Sequence, residues 1–383
     1  MKKKLLTATL LFVALGLASC ATGGGEKSSG APATPTSSQD DGIFTVTFHR
    51  NDGTKDDIIE TVTVNKGEKA SKPASDPTRE GFVFKDWYKD ADAINLYDFN
   101  KVVNKNTNLY AGWLEIFDVK FDLNYTGAAA ATSVKVTEGQ PVAEPSDPIR
   151  EGFAFKGWTI SANGPQYYDF TQPVEEGMTL YASWGAVGSK KVKAKTFEAE
   201  YCPCITEDRN GLGMQGATYS GGSNGRNLIQ KDDTKQAKAS NGYFVHHLYE
   251  KGNNLVFDLN VDVEDTKATI YMRLSAEYKT PVEIDADMYK VKVNGVAMNY
   301  GSITFENVPA QGDGWKPFSD YLLTAEVTLK AGTNKIEMIT DNMIKIHGTA
   351  LSTAPMVDCL KVYSTSEVTW PTAKPANLIS NEE

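Results

Sequence analysis

Asp76-Pro-Thr-Arg-Glu-Gly-Phe-Val-Phe-Lys-Asp-Trp87 returns, nearly unchanged, as Asp147-Pro-Ile-Arg-Glu-Gly-Phe-Ala-Phe-Lys-Gly-Trp158. The agreement extends outward. Phe44-Thr-Val-Thr-Phe48 returns as Phe117-Asp-Val-Lys-Phe121, Tyr97-Asp-Phe99 as Tyr168-Asp-Phe170, and Leu109-Tyr-Ala-Gly-Trp113 as Leu180-Tyr-Ala-Ser-Trp184. From the Asp-Pro onward every match is offset by 71 residues without a gap. A repeat of this fidelity marks two copies of one structural unit. Residues after about Lys190 share none of it.

Within each copy apolar residues alternate with period two, at Phe44/Val46/Phe48 and Phe117/Val119/Phe121 and again at Val62/Val64 and Val134/Val136. That spacing predicts strands with one buried face. The Pro-rich stretches Pro73–Pro77 and Pro141–Pro148 read as loops closed by Gly81 and Gly152, after which Phe82/Phe84 and Phe153/Phe155 open another strand. No window carries a helical period. Trp87 and Trp113, with their counterparts Trp158 and Trp184, are expected to fill two small cores. Arg-Glu-Gly-Phe-x-Phe-Lys-x-Trp with a closing Leu-Tyr-Ala-x-Trp resembles the internalin B-repeat family, the Listeria–Bacteroides repeat. The resemblance implies a β-grasp-like module used in tandem on bacterial surface proteins for spacing or adhesion, with no catalytic residues.

The chain begins Met1-Lys-Lys-Lys4, continues with the apolar run Leu5–Leu17, and reaches Leu17-Ala-Ser-Cys20. A basic start, a short apolar core and small residues before a cut site read as a secretion signal over residues 1–19. Leu-Ala-Ser-Cys closely resembles the bacterial lipobox. That resemblance implies diacylation of Cys20 and anchoring to a membrane by lipid alone, on the extracellular face. Residues 20–42, rich in Gly, Ser, Thr, Pro and Ala, cannot bury a core and are expected to form a tether. A coil of this length spans roughly 26 Å.

The formal charge is −10, and removing the three lysines of residues 1–19 takes it to −13. An acidic surface argues against nucleic acid and anionic lipid as partners. The basic run Lys190-Lys-Val-Lys-Ala-Lys195 reads as a solvated hinge in a linker over 186–195. Beyond Cys20 there are three cysteines, Cys202, Cys204 and Cys359, an odd number that leaves at least one thiol unpaired within an exported monomer.

From Thr196 to about Tyr363 the strand-like runs are Leu255–Val261, Thr269–Leu274, Tyr289–Val293, Ala325–Leu329, Lys335–Ile339 and Leu360–Tyr363. Turn signals such as Val293-Asn-Gly-Val296 separate them. The fold class expected of the whole chain is therefore mainly β, two small repeats over 43–114 and 115–185 followed by a β-sandwich over 196–364. Residues 365–383, with Pro371 and Pro375, read as a disordered tail.

The third unit opens with Phe197-Glu-Ala-Glu200, continues through Gly221-Gly-Ser-Asn-Gly225 and Leu329-Lys-Ala-Gly-Thr-Asn334, and closes with Val357-Asp-Cys-Leu-Lys-Val362. This order resembles the family 6 and family 35 carbohydrate-binding modules, which are jelly-roll sandwiches. The resemblance implies a structural calcium held by Glu198, Glu200 and Asp358, tying the first strand to the last. It also implies strand adjacency that brings Cys202 or Cys204 near Cys359, where a disulfide and free thiols are both open. Trp315 matches a loop tryptophan that stacks on a pyranose ring. His247 falls where the family often has Tyr, and Met356 replaces an Asn that commonly precedes the calcium aspartate. Both depart from the xylan-type site, and Tyr243 and Asn224, with Tyr219 and Tyr249, are substitutes for it.

Two motifs imitate chemistry. Gly221-Gly-Ser-Asn-Gly225 has the spacing of a hydrolase elbow, but that motif needs a strand, a helix and an α/β sheet around it. His246-His247 suggests a metal, yet neighbours on a strand face opposite sides. No catalytic residue is expected, because glycosidases need two carboxylates flanking a cleft and the evident carboxylates are assigned to calcium. The expected function is glycan capture by a non-catalytic surface lipoprotein, with a protein-binding adhesin as the alternative.

Overall fold

The computed structural model describes residues 42–55, 57–202, 204–205, 228–232, 238–248, 251–276, 282–305, 317–341 and 354–371. The signal, Cys20 and the tether lie outside them. So do Asn224, Trp315, Tyr219, Tyr249 and the elbow-like glycine run. Among the described residues there is no α-helix, and none long and apolar enough to cross a membrane.

The repeats supply seven strands: β1 (Ile43–His49), β2 (Ile58–Asn65), β3 (Phe82–Tyr88), β4 (Thr107–Asp122), β5 (Thr132–Thr137), β6 (Ala154–Thr159) and β7 (Met178–Gly185). In the first repeat β1 lies antiparallel to β2 and parallel to β4, which takes β3 antiparallel on its far side. The second repeat follows the same plan with β4, β5, β7 and β6. A parallel central pair flanked by antiparallel strands is the sheet order of a β-grasp, here with no α-helix across it. The two repeats share β4. Its first half closes one copy and its second half opens the next, so the copies are joined through a continuous hydrogen-bonded strand.

The repeated sequence is repeated packing. Trp87 is 1% exposed and Trp158 3%, each edge-on to Phe48 or Phe121. Trp113 Nε1 donates to the Arg50 carbonyl and Trp184 Nε1 to that of Leu123, both at 2.8 Å. The motif arginines Arg79 and Arg150 each lie 3.7 Å above the ring of the following Phe, Phe82 or Phe153. These contacts account for the tryptophans as core and for the Arg three residues before the Phe as its lid.

The third unit contains β8 (Lys193–Glu198), β9 (Cys204–Ile205), β10 (Ile229–Lys231), β11 (Tyr243–Val245), β12 (Asn254–Val261), β13 (Thr266–Ser275), β14 (Val282–Asp285), β15 (Tyr289–Val293), β16 (Val296–Met298), β17 (Ser302–Phe305), β18 (Ser319–Leu329), β19 (Gly332–Thr340), β20 (Met356–Ser364) and β21 (Val368–Thr369). One sheet runs β10-β11-β20-β13-β18 with β8 on β20, and the other β16-β15-β19-β12-β21 with β9 on β12. Between them lies one core that includes Phe257, Leu259, Ile270, Met272, Met338 and Leu360. The β15–β16 hairpin turns at Asn294 (φ 50) and Gly295 (φ 82), the paired left-handed residues its Asn-Gly announces.

Two expectations fail. The tail does not begin at 365: β21 pairs with β12, Val368 is 5% exposed, and Trp370 packs edge-on to Phe197. Burial of these two apolar side chains holds the segment to the sandwich. Nor is the basic run a solvated hinge. Lys191 bridges Glu144 and Asp147, Lys193 meets Glu367, Lys195 donates to Thr171, and β8 already starts at Lys193.

The second repeat is docked on the sandwich. Val192 N donates to the Lys156 carbonyl at 2.8 Å, Thr196 N to Asp169 Oδ2 at 2.7 Å, and Gln166 Nε2 to Asp320 Oδ2 at 3.0 Å. Gly157 permits this approach. Its φ is +125, and a Cβ there would meet the Val192 carbonyl at 3.2 Å and the Tyr167 ring at 3.0 Å. The first repeat has Asp86 at the corresponding place. Gly157→Asp is therefore expected to release the segment 190–195. Trypsin should cut at its lysines several times faster than in the native protein, with the circular dichroism of the β units unchanged. Equal cleavage rates would refute the docking role of Gly157.

Candidate functional site

The acidic residues meet where the first strand of the sandwich lies beside the last. β8 pairs antiparallel with β20, which sets Glu198 opposite Cys359. After Glu198 the chain turns through a single 3-10 turn, Ala199–Tyr201, and this turn carries Glu200. On its other side β20 pairs with β13, and the register slips there: Leu274 faces Val357 while Arg273 faces Cys359. Asp358 is the extra residue of that β-bulge. A bulge bends the strand and re-aims a side chain, and this one breaks the alternation that would separate Asp358 from Cys359. Oxygen atoms of Glu198 and Asp358 and the sulfur of Cys359 all lie within 4.8 Å of one another.

All three carboxylates are buried, Glu198 at 3% and Glu200 and Asp358 at 0% exposure. The turn Ser240-Asn241-Gly242 covers them. Ser240 N donates to both oxygens of Asp358, at 3.0 and 3.1 Å, and Ser240 Oγ lies 2.7 Å from Glu198 Oε2 and 2.9 Å from Asp358 Oδ1. Asn241 Nδ2 donates to Glu200 Oε1 at 2.8 Å. Glu200 is outside the 4.8 Å group and joins it through this neighbouring side chain.

One hydroxyl has one proton, so Ser240 Oγ cannot donate to two carboxylates at once. A proton or a cation between the two carboxylates would relieve their mutual repulsion. Burial pushes the Asp358 carboxyl up to about 6, against the pull of Arg273, whose Nε donates to Asp358 Oδ2 at 2.6 Å. Arg273 also donates to the Lys238 carbonyl at 2.9 Å and faces Asp320 at 3.5 Å. Asp320 in turn accepts from Lys361 and from Gln166 of the second repeat.

The donor set suits a hard cation. Calcium binds oxygens at about 2.3–2.6 Å, so ligands on opposite sides of one ion stand no more than about 5 Å apart, as the oxygens of Glu198 and Asp358 do. The Cys359 thiol, pushed well up by burial, is a poor partner for calcium.

Cys202 and Cys359 are free buried thiols, so the disulfide to Cys359 is not formed. The register gives the reason. Cys359 lies opposite Glu198, four residues before Cys202, and Cys202 Sγ turns to the Glu198 carbonyl at 3.5 Å. The strand that carries Cys204 pairs with Leu255 in the other sheet; the Cys204 side chain lies outside the described residues.

Of the expected sugar contacts, only Tyr243 and His247 fall among the described residues. Tyr243 opens β11 and packs half-buried against the sandwich core. His247 follows that strand with φ +64, which folds its ring over His246 with centroids 4.2 Å apart. The expectation that the two histidines face opposite sides therefore fails, because His247 has left the strand. Sequence reasoning missed Ser240, Asn241, Arg273 and Asp320. A charged residue inside the apolar run Thr269–Leu274 was the available signal for Arg273.

Residues 44–112 and 117–183 match the Listeria-Bacteroides repeat domain, so the chain carries two copies of that repeat. Over 145 residues the chain is 32% identical to a putative membrane protein of Evansella cellulosilytica, a match covering 37% of this chain and 21% of the relative. Over 129 residues it is 31% identical to Internalin H of Listeria monocytogenes, covering 32% of this chain and 23% of the relative. The chain thus spans less than a quarter of the length of these curated relatives. Among solved structures, a family 35 carbohydrate binding module from an environmental isolate aligns over 46% of this chain and 96% of its own, with 16% identity and a TM-score of 0.30.

Proposed function

We propose that this protein is a non-catalytic surface lipoprotein, anchored through Cys20, that captures glycans on a calcium-stabilised sandwich carried by two repeats. The observation that carries the reading is the gathering of Glu198 and Asp358 at the seam between the first and last strands, with Glu200 joined through the Ser240–Asn241 turn. The sequence order of Glu-Ala-Glu at the start and Val-Asp at the end supports it, through the resemblance to carbohydrate-binding modules. Glu198, Asp358 and Glu200 would hold the ion, which supplies the charge that lets the buried carboxylates stay ionised. Ser240 and Asn241 hold the carboxylates in place, and Arg273 balances Asp358 from the opposite side.

The carboxylates lie beneath the turn, buried, where they cannot flank a bond of a bound sugar as glycoside hydrolysis requires. The repeats add reach, with Trp87 and Trp158 enclosed in their two cores. Affinity electrophoresis of the full chain in gels containing soluble polysaccharides tests the reading. Retardation by at least one polysaccharide in calcium, lost with chelator, is expected. Unretarded migration in every gel, by protein shown to be folded and calcium-loaded, would contradict it, and release of reducing sugar would contradict the non-catalytic assignment.

A further inference from the structure

The 238–243 turn has two faces. Its inner face holds the carboxylates, and Lys238, Asn241 and Gly242 all take positive φ to shape it. Its outer face lines an open cleft of about 1460 Å³, whose other walls come from both repeats: Tyr88, Ile94 and Trp113 of the first, Pro141 and Pro173 of the second. We propose that this cleft is the path of an uncharged oligosaccharide chain. The proposal rests on the carbohydrate-binding reading and gives it a location built from described residues, without the use of Trp315.

Three observations point there. The first is that this face of the repeat is built for contact. In the second repeat Lys156, Asn163 and Pro165 line a smaller cavity together with Lys267, Thr269 and Ala325 of the sandwich. The residues 71 positions earlier, Lys85, Asp92 and Ile94, face the cleft instead. Ile94 is 76% exposed there, an apolar side chain on the rim.

The second is the character of the lining. Three lysines, Lys85, Lys231 and Lys238, stand among five carboxylates, Asp92, Glu138, Glu175, Glu176 and Asp232, so both signs are interspersed with a small acidic excess. The acidic excess disfavours a polyanion, and the lysines among the carboxylates leave no uniform field for a polycation. Trp113 and Tyr243, each half-buried, contribute ring surface from the repeat and the sandwich. Rings of this kind stack on the C–H face of a sugar while carboxylates and main-chain groups receive its hydroxyls.

The third is size. The cleft exceeds the roughly 300–1000 Å³ of pockets that enclose one small ligand, and it suits several linked rings. The turn also couples the two sites. A cation ordering Ser240 and Asn241 from within fixes the floor on which the glycan lies, so glycan affinity depends on calcium without any sugar–calcium contact.

The test uses the full chain in calcium and soluble hexasaccharides of β-1,4-linked glucose, mannose or xylose, measured by titration calorimetry. Ile94→Asp is expected to weaken binding roughly tenfold, with the melting temperature unchanged, while Trp315→Ala binds as the native protein does. If Trp315→Ala abolishes binding and Ile94→Asp leaves it intact, the cleft proposal is overturned and the carbohydrate reading stands. If the folded native chain binds none of the hexasaccharides, both are overturned.

Discussion

Stripping calcium from the purified chain is expected to lower its melting temperature by about 10 °C near pH 7.5, and returning calcium to restore it. An ion present at about a thousand times its dissociation constant contributes about 4 kcal/mol, and a domain of this size shifts about 2–4 °C per kcal/mol. The loss shrinks at about pH 5. The Asp358 carboxyl is raised to about 6 by burial. A raised carboxyl keeps its proton in the folded state after the unfolded chain has lost it, so the cation-free protein loses stability as pH climbs from about 4 to about 6. On the proposed reading the ion would offset the buried charge above that window, and the proton below it. Differential scanning calorimetry at both pH values checks the prediction. Curves indifferent to chelator at the higher pH would refute it.

Arg273→Met is expected to have the second large effect, and it reads the same site from the other side. Arg273 donates to Asp358 across the bulge and reaches Asp320 beyond. Removing one partner of a buried ion pair costs about 3–5 kcal/mol, because the remaining charge is left uncompensated. With calcium bound as proposed, Asp358 would keep a positive neighbour and the cost would be smaller. The variant should therefore melt several degrees lower than the native protein in chelator, and the gap should narrow in calcium. An equal gap in both conditions would separate Arg273 from the cation site. Asp320 also receives Gln166, so the variant is expected to loosen the second repeat's contact with the sandwich as well.

The strands were legible because their physics is local. Alternating apolar residues in Phe44–Phe48 and the Asn-Gly hairpin at Asn294-Gly295 require no knowledge of distant chain. The acidic seam was legible from Glu198 and Asp358 only through the order of the motifs around them, since strand pairing across the whole domain is what joins them. The parity of β20 was not legible. A single bulge at Asp358 decides which way Cys359 points, and no local signal marks it. The docking of the basic run was equally hidden, although one difference between the repeats, Asp86 against Gly157, carried the information. Val368 and Trp370 were read as tail because Pro371 and the polar residues nearby outweighed two apolar side chains that the core recruits.

Calcium uptake by the chelator-treated full chain, followed by titration calorimetry alongside Asp358→Asn, tests the central claim most directly. The account predicts one site per native chain and none in the variant, with the variant's β-rich circular dichroism retained at low temperature. No uptake by the native chain, or equal uptake by both proteins, would contradict it.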